Sequence, residues 1–302
     1  MKHFVYCFLF ILAFVTTSNR AFSEPVKTSF GGLDLIGEHV IAEGRQPTDK
    51  TILILHGTLA HLGMETIKGL QEVLMDRGYN SLSVNLSYGL SGRTGMYDCA
   101  VPHRHRYGDA VLELAHWADW LAAKGVTDVT LLGHSRGGAQ AALFGATNNH
   151  PLIKRLVLLA PATWNRDKAA KGFKKTHGRD LAKVLADARA LAKNGTGSEY
   201  MKGTGILYCP GADVTADSFL SYYEPSSNFD TPTLLPKIKH PVLVVTGGQD
   251  TVVPDIAMKV KPLTIKGAVT LVTVEDAGHF FLDLYGEDVA DAIEKFDPPN
   301  KT

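Results

Sequence analysis

The chain has 302 residues, enough for one large domain or two modest ones, with ample material for a core. Lysine plus arginine and aspartate plus glutamate balance at 31 each, which excludes a nucleic-acid binder that relies on bulk positive charge. Hydrophobic residues make up 45% of the chain, ordinary for a globular protein, and no repeat or low-complexity segment interrupts it.

The first element is a targeting segment. Lys2 precedes an apolar run over residues 4–15, too short for the roughly 20 residues a membrane-spanning helix needs but the right length for the core of a secretory signal. Ala21 and Ser23 are small residues at the positions that direct cleavage, so the mature chain is expected to start at Glu24 and residues 1–23 to be a signal peptide. The alternative is an uncleaved anchor. No later stretch is long and apolar enough for stable membrane insertion. The protein is then exported, periplasmic or secreted. Without Cys7 of the leader, two cysteines remain, Cys99 and Cys209. In an oxidising compartment they are expected to pair; the alternative is two free buried thiols.

Residues 26–30 and 35–42 alternate around Gly31-Gly32 and read as an antiparallel lead-in hairpin. Residues 51–55, Thr-Ile-Leu-Ile-Leu, form an unbroken apolar strand buried on both faces, and end in His56-Gly57-Thr58. Ile67, Leu70 and Leu74 share one face of a helix stopped by Gly78. A strand over 80–86 follows, then a helix over 107–124 with Val111, Leu114, Trp117, Ala118 and Leu121 at helical spacing. Further strands are expected over 126–132, 152–159, 241–246 and 269–274, and a final helix around Val289, Ile293 and Phe296. Alternating strand and helix over 51–162 and from about 238 to the end predict an α/β fold with a mostly parallel, doubly wound sheet. Ligands in such sheets bind at the C-terminal strand edges.

The stretch that carries the chemistry is residues 129–140, Val-Thr-Leu-Leu-Gly-His-Ser-Arg-Gly-Gly-Ala-Gln. It is a G-x-S-x-G motif set between a buried strand and an alanine-rich helix. Gly133 and Gly137 remove the side chains that would clash at a tight strand-to-helix turn, so Ser135 is presented at the strand end. The chain here resembles the α/β-hydrolase superfamily. That resemblance implies the α/β-hydrolase fold, with a core over residues 24–162 and 236–302 and a helical cap inserted over 163–235. It also implies a triad in the chain order serine, acid, histidine.

A serine hydroxyl needs a base and a group that orients the base. His279, in Asp276-Ala277-Gly278-His279 after the last strand, is the base; Asp250, after Gly247-Gly248, is the acid, with Asp276 as its rival. Asp250 also fits a turn-capping role. The resemblance places the oxyanion donors at the backbone N–H groups of Arg136 and Thr58, with Leu59 as the second choice beside Thr58. The Thr58 hydroxyl is a further donor.

Residues 87–106 are the most individual segment. They hold Arg93, His103, Arg104, His105 and Arg106 beside Tyr88 and Tyr97. Arg93, His103 and Arg104, with Leu59, are candidate substrate-binding residues, since guanidinium groups read carboxylates or phosphates; the alternative is that they brace a long loop. Two histidines without an acid or thiol cluster do not make a metal site. Arg166, Lys168, Lys171, Lys174, Lys175 and Arg179 give the insertion a basic start, read as a solvated helix face or as steering for an anion. The sequence thus leads to a serine hydrolase of small-molecule acyl substrates, an ester by default, with an amidase, peptidase or acyltransferase as rivals on the same fold and a non-catalytic binder as a further one. No cofactor is implied.

Overall fold

The computed structural model describes residues 20–299. The expected leader over 1–23 therefore lies outside the described residues up to residue 19. Strand β1 (Phe22–Phe30) pairs antiparallel with β2 (Leu33–Ile41) through the turn at Gly31-Gly32, where both glycines have positive φ. Because Phe22 and Ser23 already pair with Ile41 and Val40, cleavage after Ser23 would remove the first two residues of this strand.

Six parallel strands follow the hairpin: β3 (Thr51–Leu55), β4 (Asn80–Val84), β5 (Val129–His134), β6 (Ile153–Leu159), and, after residues 163–235, two more described below. Helices α1 (Glu65–Asp76), α2 (Asp109–Ala123) and α3 (Arg136–Thr147) connect the first four. Residues 163–235 contain α4 (Arg166–His177), α5 (Leu181–Lys193), the two-residue strands β7 (Tyr200–Met201) and β8 (Val214–Thr215), α6 (Ala216–Tyr223) and α7 (Thr231–Leu234). The chain then returns through β9 (Val242–Gly247), α8 (Ile256–Val260), β10 (Val269–Val274) and α9 (Tyr285–Phe296). The eight-stranded sheet has the order β1-β2-β4-β3-β5-β6-β9-β10; only the β1–β2 and β2–β4 pairs are antiparallel. This is the α/β-hydrolase fold.

The period of two in β3 explains its unbroken apolar run. Ile52 and Ile54 pack with Ile67, Leu70 and Leu74 of α1 and Val289 and Ile293 of α9 on one face. Leu53 and Leu55 pack with Leu114 and Trp117 of α2 and Phe144 of α3 on the other. Phe173, Leu185 and Phe219 of the 163–235 segment join this second core. Strand β5 starts at Val129 rather than 126, because Val126 still bonds back to Leu121 of the preceding helix. Strand β4 stops at Val84, since the Leu86 amide donates to His56 instead of a neighbouring strand. Among the described residues no helix is long and apolar enough to cross a membrane.

Candidate active site

The turn after β5 is built by sterics. Ser135 has φ 56° and ψ −120°, a conformation that costs a non-glycine residue on the order of 1–3 kcal/mol. A Cβ on Gly133 would lie 2.3 Å from the Gly137 carbonyl oxygen, and one on Gly137 would lie 2.2 Å from that of His56. Neither position accepts any other residue without moving backbone. The Ser135 amide donates to Leu159, and its carbonyl accepts from Ala139 and Ala162, so the strained residue is held from both sides.

Three side chains from distant loops meet at this turn. His279 Nε2 lies 2.9 Å from Ser135 Oγ, and His279 Nδ1 lies 2.8 Å from Asp250 Oδ2. The other Asp250 oxygen accepts from the amides of Val252 at 2.7 Å and Val253 at 2.9 Å. The turn-capping and histidine-facing positions of Asp250 therefore coexist, one on each oxygen. Burial pushes this carboxyl up, but the hydrogen bonds from His279, Val253 and Val252 outweigh it and hold it below its ordinary value. The carboxylate thus stays charged behind a ring that is only 6% exposed. Asp276, the rival acid, is exposed and lines a separate groove of about 840 Å³ along β10 and α9.

His134 supports the loop that carries His279. Its Nε2–H donates to the His279 backbone carbonyl at 2.9 Å, and burial holds its pKa down to about 4, so the ring stays neutral. His56 plays the equivalent part after β3. Its Nδ1–H donates to Gly57 at 2.8 Å, while Nε2 accepts from the Leu86 amide and from Arg93. Burial, with Arg93 nearby, lowers its pKa to about 3.

The Arg136 amide opens α3 and has no acceptor within the helix. The Thr58 amide has no protein acceptor among the described residues. The Thr58 hydroxyl oxygen accepts from Arg136 Nε–H at 3.1 Å, which leaves its hydrogen available. Leu59 is different. Its N–H donates to Tyr88 Oη at 3.1 Å and its side chain is fully buried, so it offers a substrate neither a donor nor a surface.

The candidates in residues 87–106 also take other roles. Arg93 is 6% exposed; its guanidinium donates to the Leu86 carbonyl at 2.6 Å, to the Gly95 carbonyl at 2.5 Å and to His56 at 3.1 Å. Each nitrogen of the group thus has a protein partner, two in its own loop and one at His56 after β3, the arrangement of the loop-bracing alternative. His103 is buried, with Nδ1 3.0 Å from His105 Nε2, and its backbone bridges to Asp213 and Thr215 beside β8. Arg104 is exposed, its stem packed near Gly89. Neither of the two cavities beside Ser135 is lined by Arg93, His103 or Arg104.

Cys99 and Cys209 form a disulfide, with Cα atoms 5.2 Å apart. It joins the two segments that supply Met96 and Tyr208, both of which line a cavity of about 320 Å³ at Ser135 and His279. Ala60, Met64 and Ile67 give that cavity an apolar wall. These wall residues went unnoticed in the sequence, because Ile67 read as part of one face of an ordinary amphipathic helix and Ala60 and Met64 carried no signal of their own. A second cavity, of about 530 Å³, lies on the Arg136 side, between Thr58 and the segment around Trp164, Phe173 and Tyr222. The one sequence signal for it was the basic start of residues 163–235: Lys168 of α4 is on its rim.

Three solved structures give the geometry a context. Est1E from Butyrivibrio proteoclasticus with ferulic acid bound superposes with a TM-score of 0.62 at 19% identity, covering 90% of this chain and 97% of that one. The Pyrococcus furiosus esterase Pf2001 gives 0.56 at 18% identity, covering 90% of each chain. The 2,6-dihydroxy-pseudo-oxynicotine hydrolase gives 0.59 at 15% identity, covering 90% of this chain and 67% of that one. At these identities the likeness is one of fold. A search of curated protein sequences found no match. A family model described as the alpha/beta hydrolase family matches residues 52–292, from the first parallel strand to the last helix, and the chain belongs to that family.

Proposed function

We propose that this protein is an exported serine hydrolase that cleaves a carboxylic ester through an acyl-enzyme. The observation that carries the reading is the unbroken hydrogen-bonded path from Asp250 through His279 to the Ser135 hydroxyl, at 2.8 and 2.9 Å. Ser135 Oγ attacks the acyl carbon while His279 Nε2 takes its proton. Asp250 fixes the imidazole tautomer and stabilises the imidazolium. The amides of Thr58 and Arg136 hold the oxyanion. The imidazolium returns its proton to the leaving alcohol, and a water, deprotonated by the same nitrogen, releases the acid. The apolar wall of Ala60, Met64 and Ile67 suits a short acyl group. Residues 163–235 act as a cap, because their aromatic side chains close the Arg136 side of the site. The apolar leader and the Cys99–Cys209 bridge both fit an oxidising destination outside the cytoplasm.

A fluorophosphonate probe tests the nucleophile: it labels the wild type, and Ser135→Ala abolishes labelling. Labelling elsewhere, or none in folded protein, rejects the reading. A matched panel of butyryl esters and aminoacyl amides separates esterase from amidase; faster amide turnover overturns the ester assignment.

A further inference from the structure

We infer that the substrate carries an ionised carboxylate, which the Arg136 guanidinium and the Tyr107 hydroxyl read in the cavity beside Ser135. This rests on the serine-esterase reading and adds the chemistry of one half of the substrate. Arg136 lines the second cavity, of about 530 Å³, which shares Thr58 with the first. The only hydrogen bond of its guanidinium among the described residues is Nε–H to Thr58 Oγ1 at 3.1 Å. Its guanidinium carbon lies 5.8 Å from the centre of the Tyr222 ring. No aspartate or glutamate oxygen lies within 4.0 Å of it among the described residues. The ionisable groups that feel its charge include Tyr107, Tyr222, Tyr223 and His105, all of them neutral in their ordinary state.

Tyr107 supplies the second, independent observation. It is 3% exposed, lines the same cavity, and its Oη has no hydrogen-bond partner among the described residues. Its ring is held edge-on against Tyr222 and Phe229, so the hydroxyl is positioned by packing. A half-buried cation without an anion and a buried phenol without an acceptor each cost free energy. One ligand group relieves both. A carboxylate offers two oxygens, one for the guanidinium Nη groups and one for the phenol, and guanidinium binds carboxylate in a fixed planar geometry. Arg93 makes the contrast: its guanidinium is more deeply buried, and carbonyl oxygens and His56 already use its donors. The aromatic walls at Trp164, Phe173, Tyr222 and Phe229 suit a flat group between carboxylate and ester. Lys168 at the rim adds positive charge on the approach.

The substrate is then an ester with a small apolar half beside Met64 and Ile67 and a carboxylate-bearing half beside Arg136. Two matched pairs of probes test it: 3- and 4-butyryloxybenzoate against phenyl butyrate, with the carboxylate on the leaving group, and mono-4-nitrophenyl glutarate against 4-nitrophenyl butyrate, with it on the acyl group. In at least one pair kcat/KM is expected to favour the charged ester by about tenfold or more, equivalent to about 1.4 kcal/mol. The ratio falls below about threefold in Arg136→Gln, recovers in part in Arg136→Lys, and drops severalfold in Tyr107→Phe, which keeps the ring packing. If the wild type turns over neutral esters through Ser135 but shows no preference in either pair, the inference is overturned while the esterase reading stands. If no ester is cleaved, the esterase reading fails instead. Binding then decides the carboxylate site, by calorimetric titration of 3-hydroxybenzoate into Ser135→Ala with and without Arg136→Gln. Binding lost with the arginine supports the site, and binding indifferent to it, or absent, overturns it.

Discussion

Two hydrogen-bonded chains of side chains run through this molecule, built from similar parts. One joins Asp250, His279 and Ser135 at 2.8 and 2.9 Å. The other joins Tyr222, His105 and His103 at 2.8 and 3.0 Å. In the first, an anion stands behind the ring and a hydroxyl stands in front of it, facing a cavity. In the second, a phenol stands behind His105, and the far nitrogen of His103 is buried without a partner among the described residues. Burial pushes both of those imidazoles down, His103 to about 4, so they stay neutral. The difference teaches what makes an imidazole a base: a carboxylate to stabilise its charge and an acidic proton within reach. Without them the same ring is a strut.

The largest expected effect breaks the first chain. Ser135→Ala or His279→Ala is expected to lower kcat by about 10⁶, and Asp250→Asn by about 10⁴, read as ester turnover on folded protein. An Asp250→Asn variant within tenfold of wild type would transfer the acid role elsewhere. Next is the disulfide that ties the second chain's segment to residues 206–215. Its 110-residue separation gives about 4–5 kcal/mol in the chain-entropy model. Reduction is therefore expected to lower the denaturant midpoint strongly; an unchanged midpoint contradicts it.

Acid sharpens the comparison further. Burial holds His56 at about 3 and His103 and His134 at about 4, below the roughly 6.5 of an unfolded histidine. Between those values the unfolded chain binds protons that the folded chain excludes. Stability is thus intact above pH about 6.5 and falls as pH drops toward about 4, by on the order of 3 kcal/mol for each ring. Urea titrations across this window measure the slope; a stability that rises on acidification would refute it. The smallest effect is expected from His105→Leu. It strands the Tyr222 hydroxyl and His103 Nδ1, at about 1–3 kcal/mol each, while fluorophosphonate labelling of Ser135 persists. Loss of labelling in folded protein would erase the distinction between the two chains.

Much of this arrangement is legible before any coordinates. The apolar run at 51–55 corresponds to a strand residue for residue, because a strand buried on both faces leaves no other pattern, and the strands expected at 152–159 and 269–274 also lie within a residue of those found. Gly133 and Gly137 announce the turn, since nothing larger fits there. Residues 87–106 were harder to read. Arg93 and His103 have the chemistry of ligand-binding groups, and their partners are carbonyls of their own loop, the rings of His56 and His105, and the backbone of Asp213 and Thr215. No local pattern encodes such partners.

Local sterics and hydrophobic period, both written in a few consecutive residues, were enough to determine the layered sheet and the strained serine, while the chain order of the groups around it came only from the family resemblance. Tertiary structure alone decided which polar groups face a cavity and which are consumed inside. Tyr88 takes the Leu59 amide, carbonyls take Arg93, and Arg136 is left without an acid among the described residues. The physical reason is that a donor is satisfied by whatever acceptor packing brings within about 3 Å, and packing depends on every segment at once.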